Sequence, residues 1–118
     1  MKKLVRIVLP EKNFYQGIFL QLYIGNEPFM RFAEGKNASY KNLIIKTLKE
    51  NDVSYESGYM GIPLPGDNYK MVGNGKVIKL NNEFILSKHL GGLGPDRKHL
   101  EDLTHYLSER IKFTLNKD

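Results

Sequence analysis

Only two segments of this 118-residue chain carry apolar residues at helical spacing, and this limits the fold more than any other feature. The first lies within 38–52 and the second within 95–111, where the leucine and isoleucine stripe is spaced three, four and four residues. Most other apolar residues alternate with polar ones, which is typical of strands. Two helices are too few for a doubly wound parallel sheet, so the sequence predicts an α+β fold.

The alternating segments predict the strands of a single domain that spans residues 1–118, a length typical of one domain. The glycine segment 73–75 is either a turn between two strands or a bulged corner. The tail 112–118 is expected to lack regular structure. The predicted order is β-β-(β)-α-β-β-β-α, a mixed sheet of about five to six strands with two main helices. The predicted strand segments are 3–9, 17–25, 26–32, 53–57, 69–72, 76–80 and 84–88, which make six strands where 73–75 is a bulged corner within one strand.

Charge and cysteine content narrow the classes of function. A net charge of +5 favours anionic partners, although the lysines are scattered as on an ordinary solvated surface. The absence of cysteine excludes disulfides, thiolate metal sites and cysteine nucleophiles, and it agrees with a reducing cytoplasm. The apolar run of the first strand is broken at Arg6 and stopped at Pro10, too short for a signal peptide or a membrane span. We therefore expect a cytoplasmic protein without membrane contact.

A glycine-rich loop precedes the second predicted helix and is the first candidate site. Main-chain N–H groups of Gly91, Gly92, Leu93 and Gly94, together with the start of the helix, could hold an anion. The alternative is a tight corner capped by Asp96. The loop lacks the lysine and hydroxyl of a phosphate-binding Walker loop, so nucleotide hydrolysis by that route is not supported.

The histidines supply the candidate base. His89 adjoins the glycine loop and is the first candidate, and His99 is the second; either can equally be a histidine without a catalytic role. His99 and His105 are six residues apart, so they lie on different sides of a helix and make a poor metal pair. No metal-binding motif is present, and we expect neither metal nor cofactor.

Three motifs occur in the same order as in the Janus/Ocnus family of small phosphohistidine phosphatases, which this chain resembles. That family has a glycine triplet entering a central strand, a loop ending Tyr-Gly-Pro-Ala before a helix, and an Ala-x-Tyr-His segment opening the first helix. An early lysine, Lys3, and an arginine ahead of the first helix, Arg31, also have counterparts. The matching segments are Gly73-Asn74-Gly75-Lys76-Val77, Leu93-Gly94-Pro95-Asp96 and Ala38-Ser39-Tyr40-Lys41.

The resemblance implies a binding site for a phosphorylated small molecule or phosphoprotein, formed by the 91–94 loop, Lys41, Lys3 and Arg31. The essential histidine of the family falls at Lys41, however, and an ordinary lysine with a pKa of about 10.4 is no base at neutral pH. Enzymatic activity is therefore uncertain. If present, it would be metal-independent phosphoryl transfer to water, with His89 and Lys41 as the catalytic residues.

Two other classes of function remain open. A basic chain with seven tyrosines and six phenylalanines is compatible with a nucleic-acid-binding module, although the RNP1 and KH patterns are missing. A small non-enzymatic interaction protein, monomeric or a homodimer that pairs edge strands, is the third reading. The loop 58–68 contains Tyr59, Met60, Ile62 and Leu64, which we expect to fold back onto the core rather than contact a partner.

Overall fold

The computed structural model describes residues 6–10, 13–34, 39–64, 69–81, 83–89, 91–106 and 111–116. Five strands form one sheet in the order β2-β1-β3-β4-β5, and all neighbours are antiparallel except β4 and β5, which are parallel. This confirms the predicted α+β class with a mixed sheet and two helices. The elements are β1 (Gln16–Ile24), β2 (Glu27–Glu34), α1 (Tyr40–Glu50), β3 (Tyr69–Leu80), β4 (Glu83–Ser87), α2 (Arg97–Leu103) and β5 (Lys112–Asn116).

The two helices pack on opposite faces of the sheet, and β1 supplies side chains to both. Phe19 belongs to the core under α2, whereas Leu20 and Leu22 belong to the core under α1. This follows from the two-residue period of a strand, which sends successive side chains to opposite faces. The α2 core also includes Phe14, Met30, Val77, Phe84, Leu86, Leu100 and Leu103; the α1 core includes Phe29, Leu43, Ile44, Leu48 and Tyr69.

The glycine segment 73–75 lies inside one continuous strand, β3, rather than in a turn between two strands. A Cβ on Gly73 would collide with the Gln21 side chain, and one on Gly75 would collide with the Ser87 carbonyl oxygen. The pairing of β1 with β3 shifts beside Gln21, which makes a β-bulge at Val72. The bulged alternative was therefore closer to the structure, and the glycines serve close approach of neighbouring groups.

Two predicted strands are not formed as expected. Of the predicted strand 3–9, residues 3–5 lie outside the described residues, and Ile7 makes only an isolated parallel bridge to Met30. The predicted strand 53–57 is replaced by a single antiparallel bridge between Ser57 and Pro63. Both segments alternate in hydrophobicity, but among the described residues Ile7 pairs with the edge strand β2 only at Met30 and Ser57 pairs only with Pro63, so neither segment forms a continuous ladder.

The C-terminal region also differs from the prediction. The α-helix ends at Leu103 and is followed by a 3₁₀ turn, Thr104–Tyr106; residues 107–110 of the predicted helix lie outside the described residues. Residues 112–116, expected to lack regular structure, form β5 at the edge of the sheet. Phe113 of this strand packs against Phe84, with 5.7 Å between ring centroids, and such packing supports the edge strand.

Candidate functional site

The glycine loop is a closed corner of main chain. The N–H groups of Gly92 and Gly94 donate to the carbonyl oxygens of His89 and Asn74 at 2.8 and 2.9 Å. The Leu93 N–H donates to Asn74 Oδ1 at 2.8 Å. Three of the donors predicted to hold an anion are thus already bound within the protein. The glycines at 91 and 94 have φ of 76° and 80°, which explains their presence by backbone conformation.

The start of α2 is closed in the same way. The Asp96 side chain accepts from the His99 N–H at 2.8 Å and is the N-cap, while Pro95 precedes the cap instead of opening the helix. The Gln21 side chain makes two hydrogen bonds to the main chain of Asp96. Gln21 Oε1 accepts from the Asp96 N–H at 2.8 Å, and Gln21 Nε2 donates to the Asp96 carbonyl oxygen at 3.0 Å. An anion would have to displace these bonds to reach the end of this helix.

His99 is fully buried between Gln21 and the β1 main chain. Its Nε2 lies 3.0 Å from the Leu22 oxygen, which can only accept, so Nε2 carries the proton. Its Nδ1 lies 3.2 Å from Gln21 Nε2 and accepts the amide proton. Burial lowers the pKa of His99, which keeps the ring neutral. The second candidate base therefore has both nitrogens occupied and holds α2 against the sheet.

A cavity of about 520 Å³ lies beside α2 and carries both signs of charge. The Tyr23 hydroxyl donates to Asp102 at 2.6 Å, and Lys98 approaches the same carboxylate oxygen at 3.3 Å. The hydrogen bond from Tyr23 lowers the pKa of Asp102, while burial followed by this same bond raises the pKa of Tyr23. Lys70 and Asp96 also line the cavity. This mixed lining gives no preference for an anion.

The start of α1 meets the glycine loop at a different corner. Tyr40 Oη lies 3.4 Å from His89 Nδ1, at the edge of hydrogen-bonding distance, and joins residues 49 positions apart in the chain. Burial raises the pKa of Tyr40. Ser39 is the N-cap of α1 and accepts from the Asn42 N–H at 3.3 Å. The exposed Lys41 follows Tyr40, so the structure brings His89 close to the helical turn that carries Lys41, while Lys41 Nζ itself lies 3.5 Å from the Met60 oxygen. We call Ser39, Tyr40, Lys41 and His89 the α1 corner.

Arg31 lies at the other end of α1 and does not join this corner. Its Nε is 3.4 Å from Glu50 Oε1, and its Nη1 donates to the Met30 and Arg6 carbonyl oxygens. Glu50 closes the 11-residue helix that Tyr40 opens, which separates the two ends by about 15 Å. Burial lowers the pKa of Arg31, and Glu50 opposes that shift. Lys3 lies outside the described residues.

Sequence reasoning missed two features. Gln21 and Asn74 organise the glycine loop, and the available signal was a polar residue at a buried position of an apolar strand. The expectation that the 58–68 loop folds back on the core is wrong for its described part, because the side chains of Tyr59 and Met60 are 84% and 72% exposed. Residues 65–68 of that loop lie outside the described residues.

Comparison with protein families, curated proteins and solved structures finds no match for this chain. The resemblance to the phosphohistidine phosphatases therefore rests on the order of the sequence motifs alone. Within the described ranges, no three histidine, aspartate or glutamate side chains are grouped so as to bind a metal ion. No helix in that part of the chain is both long and apolar enough to cross a membrane.

Proposed function

We propose that this domain binds a phosphorylated or similar small anionic ligand at the α1 corner. The observation that carries the proposal is the contact between Tyr40 and His89, because it brings the first turn of α1 to the loop that bears the candidate base. The proposed site therefore differs from the one predicted from sequence. It uses the α1 corner instead of the N–H groups of Gly92, Leu93 and Gly94.

The groups at the α1 corner suit an anion. Main-chain N–H groups in the first turn of a helix have no intrahelical acceptor, and the helix dipole adds partial positive charge there. The first turn of neither helix contains an acidic residue, but the cap of α2 is the carboxylate of Asp96, whereas the cap of α1 is the neutral hydroxyl of Ser39. Lys41 adds an exposed ammonium group, and Tyr40 and His89 add a hydroxyl and an imidazole.

Binding is the core of the proposal, and turnover is a further step that the same residues would have to support. Hydrolysis of a phosphorylated ligand needs a group that accepts a proton from water, and imidazole is the side chain best suited to this near neutral pH. His89 would take that role, while Lys41 would hold the phosphoryl oxygens as a fixed positive charge. The proposal retains a cytoplasmic location for the protein.

The test is a titration with inorganic phosphate and with phosphoramidate, followed by ³¹P and ¹H–¹⁵N NMR. We expect a millimolar affinity, with amide shifts centred on residues 39–42 and 89. Lys41→Ala and His89→Ala should each weaken binding by about fivefold or more, since one charge-assisted contact is worth roughly 1 kcal/mol or more. Lys49→Ala, which removes the same charge at the other end of α1, should change the affinity less than about twofold.

Two results would reject the proposal. One is the absence of saturable amide shifts at phosphate concentrations of several tens of millimolar. The other is an equal loss of affinity in Lys41→Ala and Lys49→Ala, which would reduce binding to nonspecific attraction by a basic surface. Release of phosphate from phosphoramidate that disappears in His89→Ala would extend the proposal from binding to catalysis.

A further inference from the structure

An exposed apolar turn projects from the chain beside Lys41, and we call residues 56–64 the Tyr59 turn. Tyr59 and Met60 form its tip at 84% and 72% exposure, and Ile62 and Leu64 behind them are also exposed. Four neighbouring apolar side chains in water are unfavourable unless another surface covers them, whereas single exposed residues need no explanation.

The backbone of this turn is well ordered by hydrogen bonds. Leu64 N–H donates to the Glu56 oxygen at 2.8 Å and Gly58 N–H to the Ile62 oxygen at 2.7 Å, as in a short hairpin. Two further bonds close the 3₁₀ tip, and the buried Tyr69 donates its hydroxyl to the Pro63 oxygen. Met60 has φ of 56°, in the left-handed region that non-glycine residues rarely adopt.

These bonds fix the direction in which the apolar side chains are presented. A surface that is already ordered loses less conformational entropy on association than a flexible loop. Tyrosine and methionine are among the residues enriched at the centres of protein interfaces. We propose that the Tyr59 turn inserts Tyr59 and Met60 into an apolar pocket of another protein, and that the rim of this pocket is acidic.

The acidic rim follows from the charges around the turn. Lys41 Nζ lies 3.5 Å from the Met60 oxygen, which places an ammonium group at the tip. The single carboxylate of α1, Glu50, pairs with Arg31 at the other end of that helix. Glu56, the one acidic residue of segment 53–64, sits at the base of the turn.

A second copy of this chain fits the same surface less well. A symmetric contact through the Tyr59 turn would bring the two Lys41 ammonium groups together, and like charges across an interface are unfavourable. A partner with carboxylates around its pocket converts the same ammonium group into an attraction. The partner that we propose for the Tyr59 turn is therefore a different protein of complementary charge.

The experiment starts with a photoreactive benzoylphenylalanine at position 59 of the full chain, irradiated in an extract of the source cells. The matched control carries it at Tyr15, a tyrosine that is also exposed, at 59%. The adduct specific to position 59 is identified and its protein component purified. Binding of this purified protein to the unmodified chain is then measured, together with Tyr59→Ser, Tyr15→Ser and Lys41→Glu.

We expect Tyr59→Ser to weaken binding at least tenfold and Tyr15→Ser less than twofold, as for a central interface residue compared with a distant one. Lys41→Glu should weaken it several-fold, with an affinity that falls as salt is added. The proposal is overturned if no adduct is specific to position 59, or if the adduct contains a second copy of this chain. It is also overturned if Tyr59→Ser leaves the affinity unchanged, or if position 59 labels only lipid in vesicles of phosphatidylserine and phosphatidylcholine.

Discussion

The starts of the two helices are built from different kinds of contact. At α2, Asp96 caps the helix at 2.8 Å and Gln21 holds the main chain of Asp96 from both sides. At α1, the cap from Ser39 is longer, at 3.3 Å, and the neighbouring side chains are those of Tyr40, Lys41 and His89. The loop N–H groups that suggested a ligand site at the α2 start are bonded within the protein, and Asp96 caps the helix as in the alternative prediction.

This difference separates a structural end from a candidate binding end. A helix start that is satisfied by buried side chains contributes to stability and leaves little for a ligand. A helix start with an exposed cation and a weak cap can accept one at a low cost in internal bonds. We therefore expect substitutions at the α2 start to change stability, and substitutions at the α1 corner to change binding.

The largest effect should come from Gln21→Ala. This change removes the Gln21 partner of the Asp96 N–H and of His99 Nδ1, and it opens a cavity in a fully buried site. We expect a loss of about 3 kcal/mol in the free energy of unfolding, measured by urea denaturation, since each buried orphan costs roughly 1–3 kcal/mol. Gln16→Ala, an exposed position of the same strand, should cost less than about 0.5 kcal/mol. Equal losses in the two variants would contradict the closed description of α2.

Gly73→Ala should follow, because the added methyl group meets the Gln21 side chain and the Gly94 oxygen. Overpacking of this kind costs about 2 kcal/mol in the free energy of unfolding. Gly91→Ala is the comparison, since open space surrounds that position and only its φ of 76° opposes a side chain. It should cost about 1 kcal/mol. Thermal or urea unfolding of both variants measures the two losses in the free energy of unfolding. A larger loss in Gly91→Ala than in Gly73→Ala would contradict the close packing described around Gly73.

The neutral, buried His99 makes stability depend on pH. The pKa of His99 is lowered in the folded protein. Below about pH 6.5 the histidine of the unfolded chain is therefore more fully protonated than that of the folded protein, and protonation favours unfolding. The stabilisation is complete above that value and is lost as the pH falls, with a limiting slope of about 1.4 kcal/mol per pH unit. Between pH 7 and 5.5 we expect a loss of about 1 kcal/mol in urea denaturation. His99→Gln should flatten this dependence, and an unchanged slope would contradict the assignment.

The smallest effects compare the two caps directly. Asp96→Ala should cost about 1 kcal/mol in the free energy of unfolding, and Ser39→Ala about 0.5 kcal/mol, because the Ser39 bond is the longer one. Phosphate affinity should respond in the opposite order, with a measurable change in Ser39→Ala and none in Asp96→Ala. Denaturation and the NMR titration on the same samples give both values. Loss of phosphate binding in Asp96→Ala alone would return the candidate site to the glycine loop.

Local patterns were sufficient to predict the fold class and much of the helical structure. The apolar residues at helical spacing within 38–52 are a property of neighbouring residues, and α1 forms there. β5 was missed because its stability depends on parallel pairing with β4, which no local pattern reports. The glycines of β3 were misread for the same reason, since the groups they avoid belong to distant residues.

Individual residues of the candidate site could be predicted from the sequence, but the contacts that bring them together could not. His89 was named from residue chemistry and Lys41 from the family resemblance, and the contact of Tyr40 with His89 joins their two segments. Arg31 was expected beside them because the resemblance also matches an arginine ahead of the first helix. The antiparallel strands carry it instead to the Glu50 end of the helix. The order of residues along a chain does not show which end of a helix a neighbouring strand reaches.

The alternation along β1 makes the two halves of the domain depend on one another. If either helix detached, one face of β1 would be exposed while its other face still packs against the remaining helix. We therefore expect the domain to unfold as one cooperative unit. A ligand held at the α1 corner would then slow hydrogen exchange at amides under α2, on the far side of the sheet. This slower exchange requires no communication between the two faces. The ligand binds only the folded protein, so it makes global unfolding rarer and protects every amide that exchanges through global unfolding.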